Sequence, residues 1–275
     1  MTGLDIMNST VISADDLAVL RDAHTHLEHP SLAARLTNFV GLPLERGVKL
    51  LPRNWYEGLR QGTRQALLRA LDWAILSLES ETRPMLVLQD GYHKLLSAAS
   101  GALGGFFGLP AVLAELPVST ALTLRAIADI ARGEGEDLSS LETRLACVEV
   151  LALGGRTDED DAAETGYYGI RLALAVHLSR IPERVLQHGI LKPSHPALVE
   201  LLASVAARFG IVVTQKAAVQ MVPILGAISG ALVNLVFIQH FQDVARAHFT
   251  VRRLERYYGA DVVRAAYQRL DEAEA

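Results

Sequence analysis

A single cysteine, Cys147, in 275 residues excludes an internal disulfide framework and fits a reducing compartment. Aromatic residues make up only 6% of the chain although half of it is hydrophobic, so alanine, leucine and valine carry the apolar mass. That composition favours helices. No stretch of strict apolar–polar alternation stands out, which leaves strands without a signal. Nor is there an excess of positive charge: 26 Lys and Arg against 31 Asp and Glu give a net charge of −5, which removes the general attraction to nucleic acid. No nucleic-acid partner is expected. The opening residues, MTGLDIMNSTVISADD, lack a basic segment followed by an apolar one, so the expectation is a cytoplasmic chain.

What the chain has in abundance is helical periodicity. Ser13 is placed as an N-cap, with Asp15 and Asp16 in the first turn and Leu17, Leu20, Ala23 and Leu27 on one face, ending near Pro30. Further helices are predicted over 31–40 and 54–79. Pro110 and Pro117 divide the apolar stretch that follows, and Gly133 and Gly135 stop the next helix. Ser139 or Ser140 caps a helix that carries Cys147 and Val150 to GGRTDEDD, an acidic linker. The remainder holds YYGIRLALAVHLSR and a closing segment, DVARAHFTVRRLERYYG. The expected architecture is all-α: a single multi-helix bundle, with N-terminal helices over 1–82 packed on an apolar core over 83–275 as one continuous domain.

Chemical motifs are scarce. VLRDAHTHLEH imitates the Asp-x-His-x-His of metal-dependent amidohydrolases, but that pair must end a barrel strand. Here the period is helical, and positions two apart on a helix face different directions. His26 with His29, or His24 with Glu28, has a spacing that suits adventitious metal binding. A solvated helix face is the expectation, with no metal and no cofactor. GALGGFFG lacks the Gly-Lys-Ser/Thr ending of a phosphate loop. Cys147 falls on an apolar face and suits a small buried hydrophobe. The carboxylates of EGED lie on a loop with no partner implied. No catalytic constellation emerges.

Two long uncharged runs are more specific. Leu95 to Ala114 contains Gly101, Gly104, Gly105, Phe106, Phe107 and Gly108, and Ala217 to Gln242 contains Gly226, Gly230 and Phe237. Each approaches the roughly 20 residues that cross a bilayer, and glycines four apart let helices touch backbone to backbone. A soluble bundle with its central helices buried on all sides explains the same runs. Pro110, Glu115, Gln220, Pro223 and Asn234 favour that explanation or a shallow hairpin over simple spans. Beyond the second run, Arg246, Arg252, Arg253 and Arg256 suit an anionic lipid headgroup, or else pair with Glu255, Asp243 or Asp261. Glu115, Arg125, Asp129, Glu149, Lys216 and Asn234 are the candidates for a buried polar network that keeps helices in register.

EHPSLAARL, GALGGFFGLPAVLAELPVSTALTLRAIADIARGEGEDL, ACVEVLALGG, KAAVQMVPILGAISGALVN and HFQDVARAHFTVRRLERYYG, in this order, resemble the EcsC family of bacterial proteins, over about residues 27–267. The family is named after an operon that also encodes an ABC transporter. The resemblance implies a cytoplasmic accessory protein at the membrane and brings no defined reaction or catalytic residue.

The function expected from these features is non-enzymatic: a peripheral protein at the cytoplasmic face of the membrane that binds lipid or another hydrophobic ligand, accessory to a transport or secretion system. The glycine-bearing runs would supply the apolar surface and the four arginines the headgroup contacts. The alternatives are a cytoplasmic hydrolase built on the buried polar residues and an adaptor for an integral membrane transporter of the ABC type.

Overall fold

A computed structural model describes residues 11–28, 32–40, 48–49, 51–76, 109–155, 166–181, 195–220 and 226–274. Among these residues the fold is all-α, with nine helices and no strand. They are α1 (Ala14–Glu28), α2 (Leu32–Val40), α3 (Arg53–Leu76), α4 (Leu109–Gly133), α5 (Leu141–Leu153), α6 (Tyr167–Leu178), α7 (Pro196–Gln220), α8 (Gly226–Tyr258) and α9 (Ala260–Glu274). The longest, α8, is the hub: α1, α2, α4, α5, α7 and α9 all pack on it. α7 forms a second axis, in contact with α3, α5 and α6.

Local chemistry explains the ends of several helices. Ser13 Oγ accepts the Asp16 backbone N–H at 3.1 Å and donates to the Asp16 carboxylate, which closes the first turn of α1 from both sides. α4 ends in a left-handed turn at Gly135 (φ +81°), where the Glu136 N–H bonds the Ala131 carbonyl and the Gly135 N–H bonds that of Arg132. A residue with a Cβ is strained at that φ, so the glycine fixes where the acidic loop after α4 points.

One expectation about a break is corrected. Pro117 does not divide α4, which runs continuously through it. The proline removes one backbone donor, and nearby hydroxyls engage carbonyls of the same helix, Ser119 that of Leu116 and Thr123 that of Ser119. The uncharged run from Ala217 to Gln242 belongs to two helices, in keeping with the expectation that it is no simple span: α7 ends at Gln220 and α8 begins at Gly226, with Pro223 in the sequence between them.

α5 is enclosed so completely that every residue but Glu142 is buried. Cys147 lies within it as the expected buried hydrophobe, its thiol pushed up to about 12, chiefly by burial. Gly155, just beyond α5, abuts the α7 backbone; a Cβ there would overlap the carbonyl of Arg208. Phe209, Phe237 and Phe241 stack between α7 and α8 with ring centroids 5.0–6.1 Å apart and form the aromatic centre of the core.

Candidate functional site

Of the six residues expected in a polar network, the structure brings together three. Glu115 on α4 accepts Lys216 Nζ and Asn234 Nδ2, each at 2.8 Å on Oε1, and Gln220 Nε2 at 3.4 Å on Oε2. Lys216 also donates to Ser119 Oγ at 3.2 Å and lies 4.6 Å from the centre of the Phe237 ring. The Lys216 and Glu115 side chains are only 1% and 4% exposed. Burial works to raise the Glu115 carboxyl, but the charge and hydrogen bond of Lys216, helped by Asn234 and Gln220, hold it below the usual carboxylate range. Three helices, α4, α7 and α8, are thereby pinned at one level.

The other three lie elsewhere. Asp129 is 3.7 Å from Arg132 one turn further along α4, and Arg125 is half-buried with its Nε inside the fold. Glu149 belongs to a separate place altogether. It lines a cleft of about 330 Å³ that is also walled by Tyr168, Arg171, Arg252, Glu255 and Arg264. In that cleft Arg171 grips Glu255 with two hydrogen bonds, 2.7 and 3.0 Å, and Tyr168 donates to the same carboxylate at 2.9 Å. Glu149 makes no hydrogen bond to the described residues, and burial, outweighing Arg171 and Arg252, raises its carboxyl to about 7.

The arginines expected at a lipid headgroup are seated on carboxylates of the chain itself. Arg252 donates to Glu136 at 2.8 and 3.2 Å and reaches Glu142 at 3.5 Å; Arg253 donates to Glu134 at 2.8 Å. Arg256 pairs with Glu136 and also bonds the Glu134 carbonyl at 2.7 Å. Arg246 shares Asp243 with Arg35 of α2. The EGED loop, expected to have no partner, is thus the counterpart of α8, presented to it by the turn at Gly135. Sequence separation of well over a hundred residues hid the match. Arg253 and Glu134 are both substantially exposed, so Arg253→Ala should cost less than about 1 kcal/mol in urea unfolding, and the difference should shrink further with added salt.

Phe237, expected on a lipid-contacting wall, is buried in the core. Ala217, Ala218, Val219, Val233 and Phe241 of the same run are buried as well. Gly226 opens α8 and Gly230 follows one turn later. Gly101, Gly104, Gly105, Phe106, Phe107 and Gly108 lie outside the described residues.

An open apolar surface occurs at a place the sequence reading did not single out, between α3 and α7. A groove of about 630 Å³ is lined by Leu67, Leu68, Val199, Leu202, Ala203, Ala206 and Ala207, with Glu57, Arg60, Gln61, Arg64 and Gln65 along the α3 side. Glu57 holds Arg60 through two bonds of 2.9 and 3.0 Å, whereas exposed Arg64 has no carboxylate partner among the described residues. α7, which forms the far wall, is the one described helix long and apolar enough to cross a membrane, with a mean hydropathy of 1.8 over its most apolar window. Periodicity on α7 carried the signal: Val199, Leu202, Ala203, Ala206 and Ala207 recur at helical spacing.

The sequence also misjudged α1. His24 is buried rather than solvated; its Nε2 lies 2.6 Å from Asp271 of α9 and its ring 4.6 Å from that of Tyr267. No curated protein and no solved structure matches the chain. The sequence profile of the EcsC protein family matches residues 32–254, about four-fifths of the chain and nearly everything between α1 and α9, and the chain belongs to that family.

Proposed function

We propose that this is a non-enzymatic, peripheral membrane protein of the cytoplasmic face that holds the acyl portion of an anionic phospholipid in the groove between α3 and α7. The observation that carries the reading is the pairing of surfaces there. An apolar wall on α7, the one described helix long and apolar enough to cross a membrane, faces an α3 edge that bears an arginine, Arg64, with no carboxylate partner among the described residues. Apolar side chains exposed in a concave wall gain by covering themselves with hydrocarbon, and a cation at the rim favours an anionic headgroup. The arginines of α8 play no part in this version, because the loop after α4 pairs with Arg252, Arg253 and Arg256, and Asp243 with Arg246. A hydrolase centred on Glu115 and Lys216 is less well supported, since both side chains are closed off from solvent.

Flotation with vesicles tests the proposal. The full chain should be retained on phosphatidylcholine vesicles doped with phosphatidylglycerol and retained less on phosphatidylcholine alone. Arg64→Glu should lower retention on the anionic vesicles by about fivefold or more, from about 1 kcal/mol per basic side chain at the surface. Val199→Asp should abolish it. If the wild-type chain floats with neither vesicle, or Val199→Asp floats as well as wild type, the groove does not bind lipid. Co-purification of an integral membrane protein with the lipid-free chain would point to the transporter adaptor instead.

A further inference from the structure

We propose that His24, Glu28 and Asp271 form a binding site for a divalent transition-metal ion of the zinc class, and that the ion clasps α1 to α9. One ligand atom from each residue lies within 4.8 Å of the other two. His24 and Glu28 are one turn apart on α1, so their side chains leave the same face, and Asp271 meets them from α9. The donor set is one imidazole nitrogen and two carboxylate oxygens, which suits zinc and its neighbours better than calcium or magnesium. The charges also fit. A neutral histidine with two carboxylates supplies −2, which a dication cancels.

The surroundings already hold the ligands in place. Glu28 Oε1 accepts the Tyr267 hydroxyl at 2.8 Å and the Tyr167 backbone N–H at 3.0 Å, so the carboxylate is fixed by α9 and by the start of α6. Gly166 eases that approach, because a Cβ there would sit tightly, 3.0 and 3.1 Å from the two Glu28 oxygens. His24 is 1% exposed and its ring is packed on Tyr267. Asp271, by contrast, is half exposed, which leaves an entry path and room for a water at a fourth position. The 2.6 Å contact between His24 Nε2 and Asp271 is closer than two donors sit around a tetrahedral ion at about 2.0–2.2 Å per bond. Binding therefore replaces the hydrogen bond of this pair, with the ring proton carried on Nδ1 so that Nε2 offers its lone pair, and spreads the two atoms by less than one ångström. Both α1 and α9 lie outside residues 32–254, the part of the chain that the family profile matches.

The experiment is titration of the chelator-treated full chain with zinc chloride, followed by calorimetry and thermal unfolding, with cobalt(II) absorption reporting coordination. One equivalent of zinc should bind, raise Tm, and give cobalt d–d bands of low-coordinate type. Asp271→Ala, at the exposed ligand, should fold normally and weaken zinc at least about tenfold. Glu28→Gln should do the same, since its amide oxygen can still accept from Tyr267 and Tyr167. His26→Ala, which alters the exposed neighbouring histidine, should change nothing. Sub-stoichiometric binding, zinc affinity unchanged by Asp271→Ala, or affinity lost with His26→Ala would each overturn the site.

Discussion

Lys216→Met is expected to destabilise the protein by about 3–5 kcal/mol, because it strands a carboxylate in the core. In the wild-type chain Glu115 is charged and satisfied by Lys216, Asn234 and Gln220. Without the ammonium, the burial that already works against the charged form meets no opposing charge, so Glu115 takes up a proton and loses its strongest hydrogen bond. The double variant Glu115→Gln/Lys216→Met should recover more than half of the loss, since glutamine still accepts from Asn234 and the thioether fills most of the lysine's path beside Phe237. Guanidinium unfolding of the four members of the cycle gives the coupling directly. If the single variant costs under about 1 kcal/mol, the pair is not holding α4, α7 and α8 in register.

The same cluster predicts the sign of an acid response. Glu115 has a folded pKa below its unfolded value, so the stability it contributes is fully present above the unfolded carboxylate pKa. It is lost as pH falls through the folded one. The Lys216→Met chain reverses that sign, and its deficit relative to wild type should narrow in acid.

What the sequence disclosed and what it hid follow the range of the interactions involved. α1 was legible because its signals are local: a serine cap, acids in the first turn, and Leu20, Ala23 and Leu27 on one face. Its histidine was not legible. A polar residue beside an apolar stripe looks solvated until another helix covers it, and α9 is more than two hundred residues away. Likewise Glu134 and Glu136 resembled a free acidic loop because their arginines lie on α8. Glu115, Lys216 and Asn234 do meet, as three of the six polar residues expected to form one buried network, while Arg125 and Asp129 stay further along α4. Glu149 was expected in the same network and lies in a separate cleft, because a polar residue in an apolar helix signals only that a buried charge needs compensation. It does not say which helix supplies it. The groove between α3 and α7 escaped for a different reason: an alanine-rich face is equally suited to close packing and to a shallow open wall, and only the position of the neighbouring helix distinguishes the two.

Glu149 itself carries the other large expected effect, and its sign is opposite to that of Lys216→Met. The carboxyl is only 7% exposed on the most enclosed helix of the fold and sits at about 7 instead of its usual 4.5. Between those two values the folded protein keeps a proton that the unfolded chain has released, so stability must fall as pH rises through the window. A carboxyl raised that far corresponds to roughly 3 kcal/mol, forfeited once the pH is well above 7. Glu149→Gln keeps the shape and removes the titration. It should therefore match wild type below the unfolded value and become more stable as the pH rises, by up to about 3 kcal/mol. Urea unfolding of both proteins across the window reads the difference with every other titrating group common to the two and so cancelled. A Gln variant less stable than wild type at alkaline pH would mean that Glu149 is a charged partner of Arg171 and Arg252. In that case the cleft is held together by an ionised Glu149, whereas the expected result leaves a neutral acid facing those two arginines across an open cleft, able to give up a proton near pH 7.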